Sequence, residues 1–352
     1  MKVFHLSHID LDGYGAQFVA KHFFEDIVFF NANYGKEILI RLKEMISLIK
    51  QESKDKHLLF LVTDLNLSLS EAEFLQEQIT ELKMQGFELT LMLLDHHISG
   101  IESAQKFHWY FLDSTRSACK ITFETLIERY TLLDPTQRQW LSDFSNMVNS
   151  VDIWKMDGFC FEFGKVAMGM IASLKDPNRV MFEDENRLIK FFMLSQIKDY
   201  LHLEDGDVKF DNDLFRLKKL AFNGDPQKQT MDNIFSHYIV HLLENQKDKL
   251  SIFYQGHKGI LTYTLGNVSV VGNQFLTRNP DFSFFLDVNA RGNVSLRANN
   301  KLDVSLMASK LFGGGGHKNA SGGRIDGFKE NFFYTHIKCQ IEQILEQGEC
   351  NE

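Results

Sequence analysis

Three short segments concentrate acids and imidazoles: His8-Ile9-Asp10-Leu11-Asp12-Gly13, Thr63-Asp64 and Asp95-His96-His97, with a further acid in Val151-Asp152-Ile153-Trp154. Asp10, Asp12, Asp64 and Asp152, brought together with His8, His96 and His97 and no basic counterpart, would repel one another and raise some carboxyl pKa values. Divalent cations remove that conflict. Mixed Asp and His ligands suit Mn²⁺ or Mg²⁺ better than an ion that prefers thiolates. Two such ions about 3.5 to 4 Å apart, sharing a carboxylate, can generate a hydroxide nucleophile and stabilise charge on phosphoryl oxygens. Asp64 is the candidate for the shared carboxylate. A lone Asp at a strand end is ordinarily a turn or a helix cap. Three clusters at successive strand ends are not explained by capping.

A second segment, Phe312-Gly313-Gly314-Gly315-Gly316-His317-Lys318-Asn319-Ala320, offers bare backbone N–H groups to an anion. The expectation is a glycine run that leads into the start of a small-residue helix, with His317 and Lys318 adding charge-assisted donors. Gly314, Gly315, Gly316 and His317 are the candidate substrate-binding residues here. Upstream, Arg297 falls on an expected strand, where its planar fork could grip a phosphate. Apolar Leu311-Phe312 before the run argues against a flexible linker.

These residues can meet only if the elements deliver them to one edge. Val3 to Ser7, Leu58 to Val62, Leu89 to Leu94 and Trp109 to Leu112 read as strands. Tyr14 to Phe24, 36 to 51, Ser70 to Gln85 and Ser117 to Tyr130 read as helices, the third opening on a Ser70/Glu73 capping signal. That alternation predicts an α/β fold with an N-terminal, mostly parallel sheet flanked by helices. In such a sheet ligands bind beyond the carboxyl ends of the strands, where the acids and histidines fall. From Pro135 to about Tyr200 the pattern is mainly helical. Gly259 to Leu265, Val268 to Val271, Phe282 to Val288 and Asn293 to Arg297 are strand candidates, followed by helices near 303–312 and 330–347. They predict a smaller C-terminal α+β domain. The expected organisation is a metal-binding catalytic domain over 1–190, a helical connector over 191–245 and a substrate-binding domain over 246–352.

The net charge of −9 over 352 residues excludes the broad basic surface that clamps long duplex DNA, but not a short nucleotide substrate. No apolar run reaches the roughly 18 to 20 residues of a spanning helix, and no secretory h-region opens the chain, so a cytoplasmic protein without a membrane partner is expected. Cys119, Cys160, Cys339 and Cys350 show no Cys-x-x-Cys spacing and fit reduced thiols. Aromatic residues in the helical middle offer a surface for a homodimer.

In their order and spacing these motifs resemble the DHH family of phosphoesterases, named for Asp-His-His, here Asp95-His96-His97. His8-x-Asp10-x-Asp12-Gly13 is similar to the family's first motif, Asp64 to its second and Asp152 to its fourth. Gly313 to His317 is similar to the signature of the DHH-associated domain. The resemblance covers nearly the whole chain. It implies a Mn²⁺-preferring two-metal hydrolase with its site in a cleft between the domains. Asp10, Asp12, Asp64, His96, Asp152 and His8 would be the metal ligands. His97 would contact the scissile phosphate or act as an acid, and Asp95 would orient a histidine. Arg297 and His317 would hold the far phosphate or base. Length and the glycine signature resemble the compact NrnA type, which implies hydrolysis of short RNA or DNA oligonucleotides and linear dinucleotides, and dephosphorylation of 3′-phosphoadenosine 5′-phosphate. The alternatives are a phosphodiesterase for cyclic or linear signalling dinucleotides and, in another class, a non-catalytic nucleotide-binding regulator.

Overall fold

Leu58–Thr63 is apolar and buried at every position, as a strand must be when helices cover both of its faces. In the computed structural model, which describes residues 1–54 and 56–349, it is the central strand of a five-stranded parallel sheet. The strands are β1 (Lys2–Ser7), β2 (Asp26–Asn31), β3 (Leu58–Thr63), β4 (Leu89–Asp95) and β5 (Tyr110–Leu112), in the order β2-β1-β3-β4-β5. Register aligns Ser7 with Thr63 and Thr63 with Leu94, so β1, β3 and β4 end at one level. Ile38, Leu42, Met45 and Ile49 from one helix and Leu75, Ile79 and Leu82 from another pack with Phe4, Phe60 and Leu93 into a shared core. Burying each such side chain contributes roughly 1.5–3 kcal/mol.

The second sheet is mixed and six-stranded, in the order β10-β11-β9-β8-β7-β6. Its strands are β6 (Ser251–Tyr254), β7 (His257–Tyr263), β8 (Phe284–Val288), β9 (Asn293–Ala298), β10 (Gly315–His317) and β11 (Ala320–Arg324). β7 and β8 are parallel and the other pairs antiparallel. The fold is therefore α/β, with a second domain built on a mixed sheet. The chain divides into two compact units, 1–174 with 190–217, and 175–189 with 218–352. The segment 191–245, expected as a connector, is shared between them.

Four local expectations are corrected. Val268–Arg278 is a helix rather than a strand beginning at Val268, because parallel β7 and β8 need a crossover and Val271, Phe275 and Leu276 lie on its buried face. β2 is a strand that the sequence reading did not include, although Ile27-Val28-Phe29-Phe30 is a continuous apolar run. The capping box of Leu69–Met84 is Ser68 with Glu71, two residues earlier than Ser70 with Glu73. No helix starts after the glycine run: the helix Val304–Phe312 ends there on left-handed Gly313, and Gly315–His317 is an edge strand paired with β11. Cys119, Cys160 and Cys339 are free thiols, and Cys350 lies outside the described residues. Among the described residues no helix is long and apolar enough to cross a membrane.

Candidate metal centre

His8 follows the last residue of β1, Asp64 follows the last residue of β3, and Asp95 ends β4, with His96 and His97 next in the chain. Because the three strands are adjacent, parallel and in register, one sheet edge receives all five side chains. Asp10 caps the helix Leu11–Ala20, its Oδ1 accepting the Gly13 N–H at 3.0 Å, and Asp12 enters from the first turn. Gly13 is required: a Cβ there would stand 2.4 Å from the His8 carbonyl oxygen. Asp152 is the last residue of the helix Arg138–Asp152.

The side chains form overlapping groups. His8, Asp10 and Asp64 bring ligand atoms within 4.8 Å of one another, as do Asp12, His96 and Asp152, and Asp64, His96 and His97. His8 Nδ1 lies 3.0 Å from Asp10 Oδ2 and 3.7 Å from Asp64 Oδ2. His96 Nε2 lies 3.3 Å from Asp64 Oδ1, 3.6 Å from Asp152 Oδ2 and 3.7 Å from Asp12 Oδ2. One oxygen of Asp64 thus faces His8 and the other faces His96. Asp64 holds this position with φ of 55°, a left-handed backbone that costs a non-glycine residue about 1 kcal/mol or more. A strained residue retained at a strand end points to a demand made by the site.

Electrostatics agree with that demand. Burial, and then the charges of Asp10, Asp12 and Asp152, push the Asp64 carboxyl well above the usual range. Burial also raises Asp12, and burial with the charges of Asp12 and Asp10 pushes Asp152 up to about 9. At half-exposed Asp10 burial also raises the carboxyl but is outweighed, chiefly by the His8 hydrogen bond and charge, and it sits at about 2. Asp64 Oδ2 and Asp152 Oδ2 are buried with no hydrogen-bond partner. Buried polar atoms are ordinarily paired, and each orphan costs about 1–3 kcal/mol. Orphan oxygens on two carboxylates of one acidic cluster are donors that a divalent cation would satisfy. The residues present fit such ions.

Four further groups shape the site and were not anticipated. Ala118 and Cys119 donate their N–H groups at 2.7 and 2.8 Å to the two carboxylate oxygens of Asp12, so the start of the helix Ala118–Arg129 fixes that acid. Tyr110 donates its hydroxyl at 2.7 Å to Asp95 Oδ2, while His97 Nδ1 donates at 2.7 Å to Asp95 Oδ1. Tyr34 places its hydroxyl 2.8 Å from His97 Nε2 and its ring 4.5 Å from that of His8. Burial opposes a charge on His97, but the hydrogen bond to Asp95 and the acids around it outweigh burial and raise its pKa. Recognising β2 would have placed Tyr34, three residues past its carboxyl end, at the same sheet edge. Backbone donors such as Ala118 N–H leave no sequence signal.

The other predicted site residues lie in the second unit. Arg297 on β9 pairs with Ala320, which pairs in turn with His317 across the β10–β11 hairpin. Gly314 approaches the Gly322 carbonyl so closely that a Cβ would overlap it, at 1.9 Å, while Gly315, Gly316 and His317 are exposed. These residues form one surface, separate in the chain from the acidic cluster.

A parallel α/β sheet whose strand ends converge on carboxylates and imidazoles defines a class, proteins whose carboxyl-edge side chains fit divalent cations. No protein-family model matches the chain. Over 345 residues it is 54% identical to a 3′,5′-cyclic-nucleotide phosphodiesterase from Helicobacter pylori, covering 98% of this chain and 99% of that one. The chain belongs to that protein's family, and so stands with the hydrolases of ester bonds. The crystal structure of an uncharacterized protein from Helicobacter pylori G27 superposes with a TM-score of 0.92 at 54% identity, over 98% of this chain and 99% of the other.

Proposed function

We propose that the chain is a metal-dependent phosphodiesterase acting on small nucleotides, with 3′,5′-cyclic nucleotides as its first substrate class. The observation that carries this reading is Asp64, whose two oxygens face two separate carboxylate–imidazole groups. The substrate class follows from the full-length relative named for that activity.

His8, Asp10 and Asp64 would hold one ion, and Asp12, His96 and Asp152 a second, with Asp64 common to both. Divalent ions bound there would polarise phosphoryl oxygens and acidify water. Imidazole donors beside carboxylates favour Mn²⁺ over Mg²⁺. Asp12 keeps lone pairs for an ion while its helix-end hydrogen bonds fix its direction. Asp95 holds a proton at His97 Nδ1, which turns Nε2 toward Tyr34 and the open side of the site, where a phosphate would lie. Tyr110 occupies the other oxygen of Asp95 and so keeps the dyad in register.

A second reading retains the chemistry on linear substrates: dinucleotides, very short oligonucleotides and 3′-phosphoadenosine 5′-phosphate, as in the DHH family. It is favoured by Arg297 and the glycine hairpin, an arrangement of donors suited to a phosphate. The test is a substrate panel in Mn²⁺ containing 3′,5′-cyclic AMP, a dinucleotide, 3′-phosphoadenosine 5′-phosphate and longer RNA. Asp64→Ala is expected to lower turnover by at least about a thousandfold on the substrate that the wild type cleaves, since it removes a ligand shared by both ions. Undiminished turnover in that variant sinks the two-ion reading.

A further inference from the structure

His97 has two ring nitrogens, and both are engaged. Nδ1 lies 2.7 Å from Asp95 Oδ1, and Nε2 lies 2.8 Å from the Tyr34 hydroxyl. An imidazole nitrogen makes one hydrogen bond in the ring plane, as a donor when it carries a proton and as an acceptor when it does not. A phosphate oxygen can therefore reach His97 only where one of these two partners leaves.

The two bonds are not equally held. Asp95 is fully buried, its Oδ1 also accepts the His97 backbone N–H at 3.3 Å, and its Oδ2 accepts the Tyr110 hydroxyl at 2.7 Å. Freed from His97 Nδ1, it would be a buried carboxylate short of a donor, which is costly. Tyr34 is 42% exposed and stands on the short link between β2 and the helix Lys36–Ile49. Its own N–H donates to Asn33 Oδ1 at 2.9 Å, a contact with the preceding residue, and its ring lies 4.5 Å from that of His8. Gly35, the next residue, has φ of 86°, and beyond its chain neighbours no atom lies within 4 Å of where its Cβ would stand, so nothing walls the link on that side. A phenol hydroxyl released there is taken up by water. Of the two partners of His97, Tyr34 is the one that can yield.

We propose that the Tyr34 hydroxyl occupies His97 Nε2 in the empty site and is displaced from it by the phosphate of the substrate. Tyr34 is a positioning residue on this account. It holds the imidazole in place until a phosphate arrives, and its hydroxyl competes with the substrate rather than assisting it. All of the groups involved belong to one compact unit, 1–174 with 190–217. The inference rests on the phosphodiesterase reading above, which sets a phosphate beside His97, and adds to it a contact whose removal strengthens binding.

The experiment measures binding of inorganic phosphate and of AMP to the full chain in Mg²⁺ by calorimetry, for the wild type and for Tyr34→Phe, which keeps the ring against His8 and deletes the hydroxyl. The variant is expected to bind both about three- to tenfold more tightly, the worth of one hydrogen bond that no longer has to be broken. KM for the substrate that the wild type cleaves should fall by a similar factor. A residue that merely supports the site, or one that donates to the phosphate, would weaken binding when cut back. Nitrogen NMR of His97 gives a second readout: without phosphate its Nε2 signal should differ between the two proteins, and saturating phosphate should bring both to the same position. Equal or weaker binding by the variant, signals that stay apart in saturating phosphate, or phosphate that binds neither protein overturns the inference. If the wild type cleaves no nucleotide, the phosphodiesterase reading fails, and the phosphate affinities still decide the role of Tyr34.

Discussion

Loading the cluster with Mn²⁺ at pH 7 is expected to expel at least one proton. The Asp152 carboxyl is pushed up to about 9 by burial and by the charges of Asp12 and Asp10. Two pH units below that value it is about 99% protonated. A cation needs the carboxylate, so binding must displace the proton. Asp64 and Asp12 are raised as well and can only add to the count, whereas Asp10, at about 2, adds nothing. Each proton displaced makes the apparent affinity rise about tenfold per pH unit, or about 1.4 kcal/mol. From pH 6 to 8 the Asp152 proton alone amounts to roughly a hundredfold. The sign for stability follows from the same shift. A carboxyl whose folded pKa exceeds its unfolded value is favoured in the protonated fold, so the metal-free protein loses stability as pH climbs from 3.8 toward about 9. Metal should reverse that loss, more strongly at higher pH. Calorimetric titration in two buffers of different ionisation enthalpy counts the protons directly, and Asp152→Asn should lower the count by about one. No release at pH 7, or an affinity that does not change between pH 6 and 8, would refute the assignment of a desolvated acid cluster as the ion site.

Asp287 on β8 offers a test away from the metal centre: burial pushes it up to about 6, although Thr262 Oγ1 and Leu265 N–H both donate to its Oδ1. Its folded pKa is raised, so stability should fall as pH rises from 3.8 to about 6; Asp287→Asn keeps the acceptor and should gain about 1–3 kcal/mol above pH 6, read as a higher midpoint of thermal unfolding at pH 8 than at pH 5 relative to wild type. Gly314→Ala and Gly313→Ala together should separate backbone approach from backbone freedom, since a Cβ on Gly314 would fall 1.9 Å from the Gly322 carbonyl while Gly313 has open space and φ of 57°. The first variant is expected to cost about 1–3 kcal/mol or more and to expose β10 to hydrogen exchange, the second about 1 kcal/mol. Equal effects at the two positions would show that the close hairpin contact is unimportant.

The residues of the acidic cluster were legible because chemistry restricts their type and a parallel sheet restricts their place. His8, Asp64 and Asp95 each sit at or just after a strand whose apolar run is unambiguous, and parallel pairing of β1, β3 and β4 does the rest. What was illegible depends on contacts that carry no local pattern. Tyr110 looks like one more buried aromatic of β5 until its hydroxyl is seen on Asp95. Ala118 and Cys119 contribute through backbone N–H, which every residue but proline has. The run Val268 to Val271 satisfied a strand pattern over four residues, and only Phe275 and Leu276 beyond it reveal the helical period.

The glycine-rich segment shows a different limit. Its composition announced an anion site through bare backbone, and a helix start was the obvious structure to supply one. The chain instead turns Gly315–His317 into the edge of a sheet, where successive N–H groups alternate in direction and only some of them point away from β11. Glycine is needed there because Gly314 lies against the Gly322 carbonyl and Gly323 lies against Phe312, where a Cβ would come within 2.5 Å of the Phe312 side chain. Close packing of the hairpin on the helix Val304–Phe312 thus accounts for Gly314 and Gly323 without any ligand. Gly316, with φ of 144° and a Cβ that would stand 2.7 Å from the Ala320 carbonyl oxygen, is explained in the same way; only exposed Gly315 and His317 remain to be explained by what they bind, and Arg297 on β9, in register with Ala320, offers a cation that could share a phosphate with them.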